Sequence, residues 1–195
     1  MRKTICALGL ILILTASAAA IDFEFGVRYG VRTVSDSTVS AIYKNGMIYF
    51  PYAAVNLWKG LTIGAGYEGG YSASGPIGIF QEDSTLKVSG FEVFVAYQYE
   101  AGKFVPYASV GYGSFTYRQT IESPYATETI DASKTTFVVA GGAKFYLMSG
   151  LFLGVEVKYV PLKVTPLADT VDLSGLRLTI GVGYTLKFNK VKAQG

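Results

Sequence analysis

The sequence predicts an all-β chain: an eight-stranded antiparallel up-and-down transmembrane β-barrel preceded by a cleavable signal peptide. Two observations carry this. Apolar residues recur at alternate positions in eight separate segments, and the connections between those segments alternate between short turns and long polar loops. Hydropathy frames both. Half of the 195 residues are hydrophobic, 16% are charged and mean hydropathy is +0.34, yet after residue 20 the longest run free of Asp, Glu, Lys and Arg is 14 residues, Asn45 to Trp58 and again Phe104 to Tyr117. A spanning helix needs about 20, so the apolar residues must be used in another way.

Residues 1–20 combine Arg2 and Lys3, an apolar core from Ile5 to Leu14, and small residues ending in Ala18-Ala19-Ala20. That is the pattern of a secretory signal peptide cleaved after Ala20. Cleavage would remove Cys6, the chain's one cysteine, and leave 15 of the 17 basic residues against 14 acidic ones. The mature chain is then close to neutral, which argues against nucleic acid as a partner. The sequence contains no His, so the commonest general base and metal ligand is missing. No cofactor motif or metal-ligand spacing appears, and the expectation is a chain that is not an enzyme.

The first strand, residues 22 to 34, sets Phe23, Phe25, Val27, Tyr29 and Val31 against Asp22, Glu24, Gly26, Arg28, Gly30 and Arg32. Residues 47 to 58 are apolar on both faces and interrupted by Pro51. Residues 61 to 72 place Leu61, Ile63, Ala65, Tyr67 and Tyr71 opposite Thr62, Gly64, Gly66, Glu68 and Gly70. In residues 87 to 99, Phe91, Val93, Val95, Tyr97 and Tyr99 oppose Gly90, Glu92, Ala96 and Gln98, with Phe94 out of pattern. Residues 104 to 117, 136 to 147 and 151 to 162 follow, the last two presenting Lys144, Glu156 and Lys158 on the less apolar face. Residues 175 to 188 close the series, Leu176 to Phe188 on one face and Gly175, Arg177, Thr179, Gly181 and Gly183 on the other.

Short turns at 59–60, 100–103 and 148–150 alternate with long loops at roughly 35–46, 73–86, 118–135 and 163–174. A soluble exported barrel would turn the crowded apolar face inward. Five to seven large residues on each strand amount to roughly forty side chains, too many for the interior of an eight-stranded barrel. The apolar face therefore points to lipid, and aromatics near strand ends (Phe23, Tyr71, Tyr99, Phe104, Tyr159 and Phe188) suit interfacial girdles. The other face is the lumen. Strand phase sends Glu24, Arg28, Arg32, Glu68, Glu92, Lys144, Glu156, Lys158 and Arg177 into it, four acids and five bases. Such groups must pair to be retained, with bidentate Arg–carboxylate contacts expected across the lumen.

The chain resembles the small eight-stranded outer-membrane barrels of Gram-negative-type bacteria, the OmpX and opacity-protein group and the membrane domain of OmpA. The similar stretches are Leu57-Trp58-Lys59-Gly60-Leu61 entering a glycine-alternating strand, Phe104-Val105-Pro106-Tyr107 leading to Gly111-Tyr112-Gly113, and Leu178 to Phe188. The resemblance covers essentially residues 21–188 and leaves 189–195 as a short C-terminal tail. It implies an outer-membrane, monomeric protein with periplasmic termini, embedded in outer-membrane lipids and lipopolysaccharide. It also implies handling by periplasmic chaperones and by the barrel-assembly machinery, with Tyr184, Leu186 and Phe188 as the assembly signal, although Asn189 to Gly195 follow the last aromatic.

Three roles remain in view: a structural or surface protein whose lumen is plugged by charged side chains, a narrow porin-like channel for small solutes, and a loop-mediated adhesin or host-interaction protein. If charge pairing alone closes the lumen, Glu68→Ala or Glu92→Ala should raise conductance. For the adhesin, the outer loops offer Asp36, Glu82, Asp83, Glu122, Glu128, Asp131, Asp169 and Asp172, with Tyr43, Phe80 and Tyr125.

Overall fold

A computed structural model describes residues 21–57, 60–166 and 170–188. The proposed signal peptide, Trp58, Lys59, Asp169 and the tail from Asn189 lie outside the described residues. The elements are β1 (Asp22–Arg32), α1 (Ser37–Tyr43), β2 (Gly46–Asn56), β3 (Leu61–Ile77), β4 (Glu82–Gln98), β5 (Phe104–Glu122), β6 (Thr127–Tyr146), β7 (Leu151–Val160), the short β8 (Lys163–Val164) and β9 (Val171–Asp172), and β10 (Gly175–Leu186). Eight of the strands form a closed antiparallel barrel in the order β1-β10-β7-β6-β5-β4-β3-β2. Closure pairs the first strand with the last, Phe23 opposite Leu186 and Arg32 opposite Arg177, and leaves no edge within the ring.

The alternation sorts as predicted. Phe25, Tyr29, Ile63, Val93, Val110, Val139, Val155 and Ile180 are exposed on the outer wall, as side chains facing lipid must be. Pro51 is tolerated in β2 because the β2–β3 ladder omits Phe50 and Pro51, pairing Tyr49 with Gly69 and then Tyr52 with Gly66. There the missing donor is not needed. Phe94, out of pattern in the sequence, turns inward against Tyr52, their ring centroids 6.5 Å apart.

Two of the predicted long loops are strands instead. β3 and β4 continue past the apolar band to a turn at Gly78–Gln81, and β5 and β6 to a turn at Ser123–Ala126. Beyond Phe91, Tyr112 and Phe137 the outward residues become Ser89, Ser114, Thr116, Ser133 and Thr135, so polarity alone suggested loop. Ladder pairing nevertheless runs unbroken to Glu122 and Thr127. β7 stops well short of the β5–β6 tip, and its register with β6 begins only at Val139. Among the described residues, β6 before that point is paired on its β5 side alone.

The assignment of Tyr71 to the lipid face is corrected by a bulge. The β3–β4 register jumps between Glu68 and Tyr71, with Gly70 at φ +91°. The extra residue reverses the phase of everything above it. Tyr71 is therefore buried inside the barrel, and its hydroxyl donates to Lys44 O at 3.2 Å. The other five predicted girdle aromatics are exposed.

Candidate functional site: the barrel lumen

From the turn end inward, the lumen has three levels. A cup of about 680 Å³ opens at the turns, lined by Asp22, Asn56, Gln98, Lys103, Tyr146 and Lys187 among others. Its floor is polar: Asn56 Oδ1 accepts from Thr62 Oγ1 at 2.7 Å and from Gln98 Nε2 at 3.0 Å, while Gln98 Oε1 accepts from Lys144 Nζ at 3.1 Å.

Above the cup lies the charged level. All nine residues that strand phase placed inside are buried. Lys144 Nζ reaches both oxygens of Glu24 at 2.6 Å, and Tyr52 donates to the same carboxylate at 3.1 Å. Arg28 Nη1 donates to Glu156 Oε2 at 2.7 Å, with Tyr107 adding a bond to that oxygen at 2.9 Å. Lys158 bonds Glu92 at 2.6 Å and stands 3.6 Å from Glu156. Arg177 Nε donates to Glu68 Oε2 at 2.5 Å, and Arg32 Nη1 lies 3.6 Å from the other oxygen. The cations come from β1, β6, β7 and β10, which are neighbours in the ring, while Glu68 and Glu92 reach them from β3 and β4. Charge-assisted contacts across the lumen thus tie opposite walls together.

The expected bidentate Arg geometry is absent here. Arg28 and Arg177 each bond a carboxylate through one nitrogen, and aromatic rings lie over their faces. Arg28 Cζ is 4.2 Å from the Tyr52 ring centroid and Arg177 Cζ is 5.5 Å from that of Phe115. The forked pair forms instead on the outside of the β5–β6 hairpin, where Arg118 bonds Asp131 at 2.8 and 3.2 Å. Free space around Glu24, Arg28, Glu92, Lys144 and Glu156 is about 10 Å³, at the threshold for a single water.

The third level was missed by the sequence reading. Tyr71, Leu86, Val88, Phe115, Tyr117, Leu162 and Leu173 form an apolar cluster inside the hairpin end, joined by Tyr43 from α1. Tyr43, expected on a loop surface, is buried, and its hydroxyl shares hydrogen bonds with Ser84 Oγ and Gln119 Nε2, both at 2.8 Å. Asp36 caps α1 by accepting from Thr38 N and Val39 N at 2.8 and 3.0 Å, and the Tyr43 bonds tie the helix to β4 and β5. The usable signal was the inward phase of Leu86, Val88, Phe115 and Tyr117, counted from Glu92 and Gly113.

The predicted assembly residues Tyr184, Leu186 and Phe188 all lie on the outer wall. Phe188 packs edge-on against Phe23 at 5.7 Å, and Tyr184 lies 6.0 Å from Phe25. The last aromatics therefore mark the seam where the ring closes.

Solved structures share the architecture at low identity. Outer membrane protein OprG of Pseudomonas aeruginosa aligns at TM-score 0.68 and 12% identity over 87% of this chain and 97% of that one. The neisserial surface protein A aligns at 0.58 and 13%, over 86% and 97%. The attachment invasion locus protein Ail of Yersinia pestis, solved with the heparin analogue sucrose octasulfate, aligns at 0.54 and 12%, over 86% and 99%. No curated protein matches the sequence. With the closed ring and its apolar outer wall in place, the match of residues 4–185 to the outer membrane protein beta-barrel domain establishes that the chain belongs to that outer-membrane family.

Proposed function

We propose that this protein is a non-enzymatic structural or surface barrel of the outer membrane whose lumen is plugged, with both termini at the periplasmic face. The observation that carries the reading is the pair of barriers in series, the ion-paired level and the apolar cap above it. Free space within the ion-paired level is about 10 Å³, and buried apolar side chains fill the level above it. The open cup belongs to the periplasmic side on this reading, and the long hairpins to the cell exterior. Outer-membrane lipids and lipopolysaccharide are the surroundings, and periplasmic chaperones and the barrel-assembly machinery the transient partners, with the protein acting as a monomer.

Planar-bilayer recording tests the plug. The wild type is expected to show negligible conductance, and steady large channels would overturn the reading. A second role, contact with an outside surface, is favoured by one observation: the hairpin tips present Ile79, Phe80 and Tyr125 almost fully exposed. Deleting residues 120–132 should leave heat-modifiable folding intact while reducing attachment to host or abiotic surfaces; unchanged attachment would remove that role from this hairpin.

A further inference from the structure

The buried charges do not divide evenly. Three cations have a carboxylate of their own: Lys144 with Glu24, Arg28 with Glu156, and Lys158 with Glu92. The remaining carboxylate, Glu68, serves both Arg32 and Arg177. Five buried bases against four buried acids leave one positive charge, and the pairing localises it to this triad. Arg32 and Arg177 are direct neighbours across the β1–β10 seam, and Lys158 stands next to Arg177 on β7.

The hydrogen-bond count points to the same place. Arg32 Nε and Nη1 and Arg177 Nη1 and Nη2 are buried and without a protein acceptor, four donors against the two carboxylate oxygens that lack a donor, Glu68 Oε1 and Glu92 Oε2; the hydroxyls of Ser174 and Thr179 are unpaired as well. Arg32 Nη2 is held by Leu173 O at 3.0 Å and Arg177 Nε by Glu68. Tyr71 lies over the Arg32 guanidinium at 5.0 Å, and Phe115 over that of Arg177. Faces occupied by rings leave the N–H edges as the free binding surface. Buried donors require acceptors, and water could serve each one, but water leaves the charge uncompensated in a low-dielectric interior, which is costly.

We propose that the Arg32–Arg177–Glu68 triad binds a monovalent anion of chloride size, completing the charge balance of the lumen beneath the apolar cap. A single charge to balance and two fully buried guanidiniums favour a small monovalent ion over a phosphate.

The test refolds the full chain from urea into detergent in sodium chloride, bromide or gluconate at matched ionic strength, so that the site fills as the barrel closes. The midpoint of the heat-dependent gel shift is expected to be higher in chloride and bromide than in gluconate, rising with the logarithm of halide concentration. Arg32→Gln removes the surplus charge and should abolish the halide dependence. Should that variant not fold, crystals of wild type refolded in bromide decide the matter: an anomalous peak within hydrogen-bonding reach of both guanidiniums supports the site. Ordered water without anomalous signal, or equal midpoints in all three salts, overturns it.

Discussion

Lys144 lies against both carboxylate oxygens of Glu24, and both side chains are buried. Replacing one member of such a buried pair costs about 3–5 kcal/mol, whereas replacing both with apolar residues is close to neutral. Glu24→Met and Lys144→Met are each expected to lower stability by that amount in urea titrations in lipid vesicles, with most of the loss recovered in the double variant. Additive losses would show that the two groups are not coupled. At this scale the sequence was highly legible: a period of two fixes which side chains share a face, so all nine lumen charges could be named without coordinates. Their partners could not be named, because pairing depends on how strands on opposite walls are staggered. The Arg32–Glu68–Arg177 triad needs β1, β3 and β10 at one height, a relation no local pattern encodes.

The β5–β6 hairpin stands partly free of the ring, and its outer surface is tied by Arg118 and Asp131. The hydrogen bond from Arg118 holds the Asp131 carboxyl below the usual carboxylate range. With the folded value the lower one, the pair's contribution is fully present above about pH 4, near the unfolded value, and is lost as pH falls through the folded value. Amide protection from Arg118 to Asp131 should therefore drop on acidification from about pH 5 to about pH 2.5, more than in the β1–β10 seam, and Asp131→Asn should remove that difference. The hairpins also show where sequence reading stopped. A strand in water can be polar on its outer face and still be a strand, because the ladder supplies its order, so Ser, Thr and charge mark solvent there and not loop. The half-paired stretch of β6 carries Glu128, Asp131 and Lys134, charges that discourage edge-to-edge association.

For the whole molecule, the apolar band defines where lipid begins and ends. Ile180→Arg, in the middle of the outer wall, is expected to cost about 2–4 kcal/mol, while Thr116→Arg on the projecting hairpin should be nearly neutral. Urea unfolding in vesicles measures both, and equal costs would misplace the band. The cap also changes the conductance expectation drawn from charge alone. With two barriers in series, Glu68→Ala or Glu92→Ala leaves the apolar level closed, so single-channel recordings of either variant should stay near the wild-type baseline. An opening from one such change would mean that the cap does not seal. The fold class, strand number and inward charges were all present in the sequence; the cap was only partly so, since Leu86, Val88, Phe115 and Tyr117 follow strand phase while Tyr43 of α1, Tyr71 above the bulge and the β8–β9 segment follow none. The Gly69–Gly70 bulge separates two alphabets within one strand. Below it, large residues are written outward for hydrocarbon; above it, Tyr71 and Ala73 are written inward and Ser72 and Ser74 outward for water. Flattening the bulge with every residue kept would turn Ser72 and Ser74 toward the cap and Tyr71 toward solvent, whereas deleting Gly70 removes the surplus residue itself and leaves Tyr71 opposite Val88. One surplus residue thus sets which half of the alternation the projecting sheet turns to the cap.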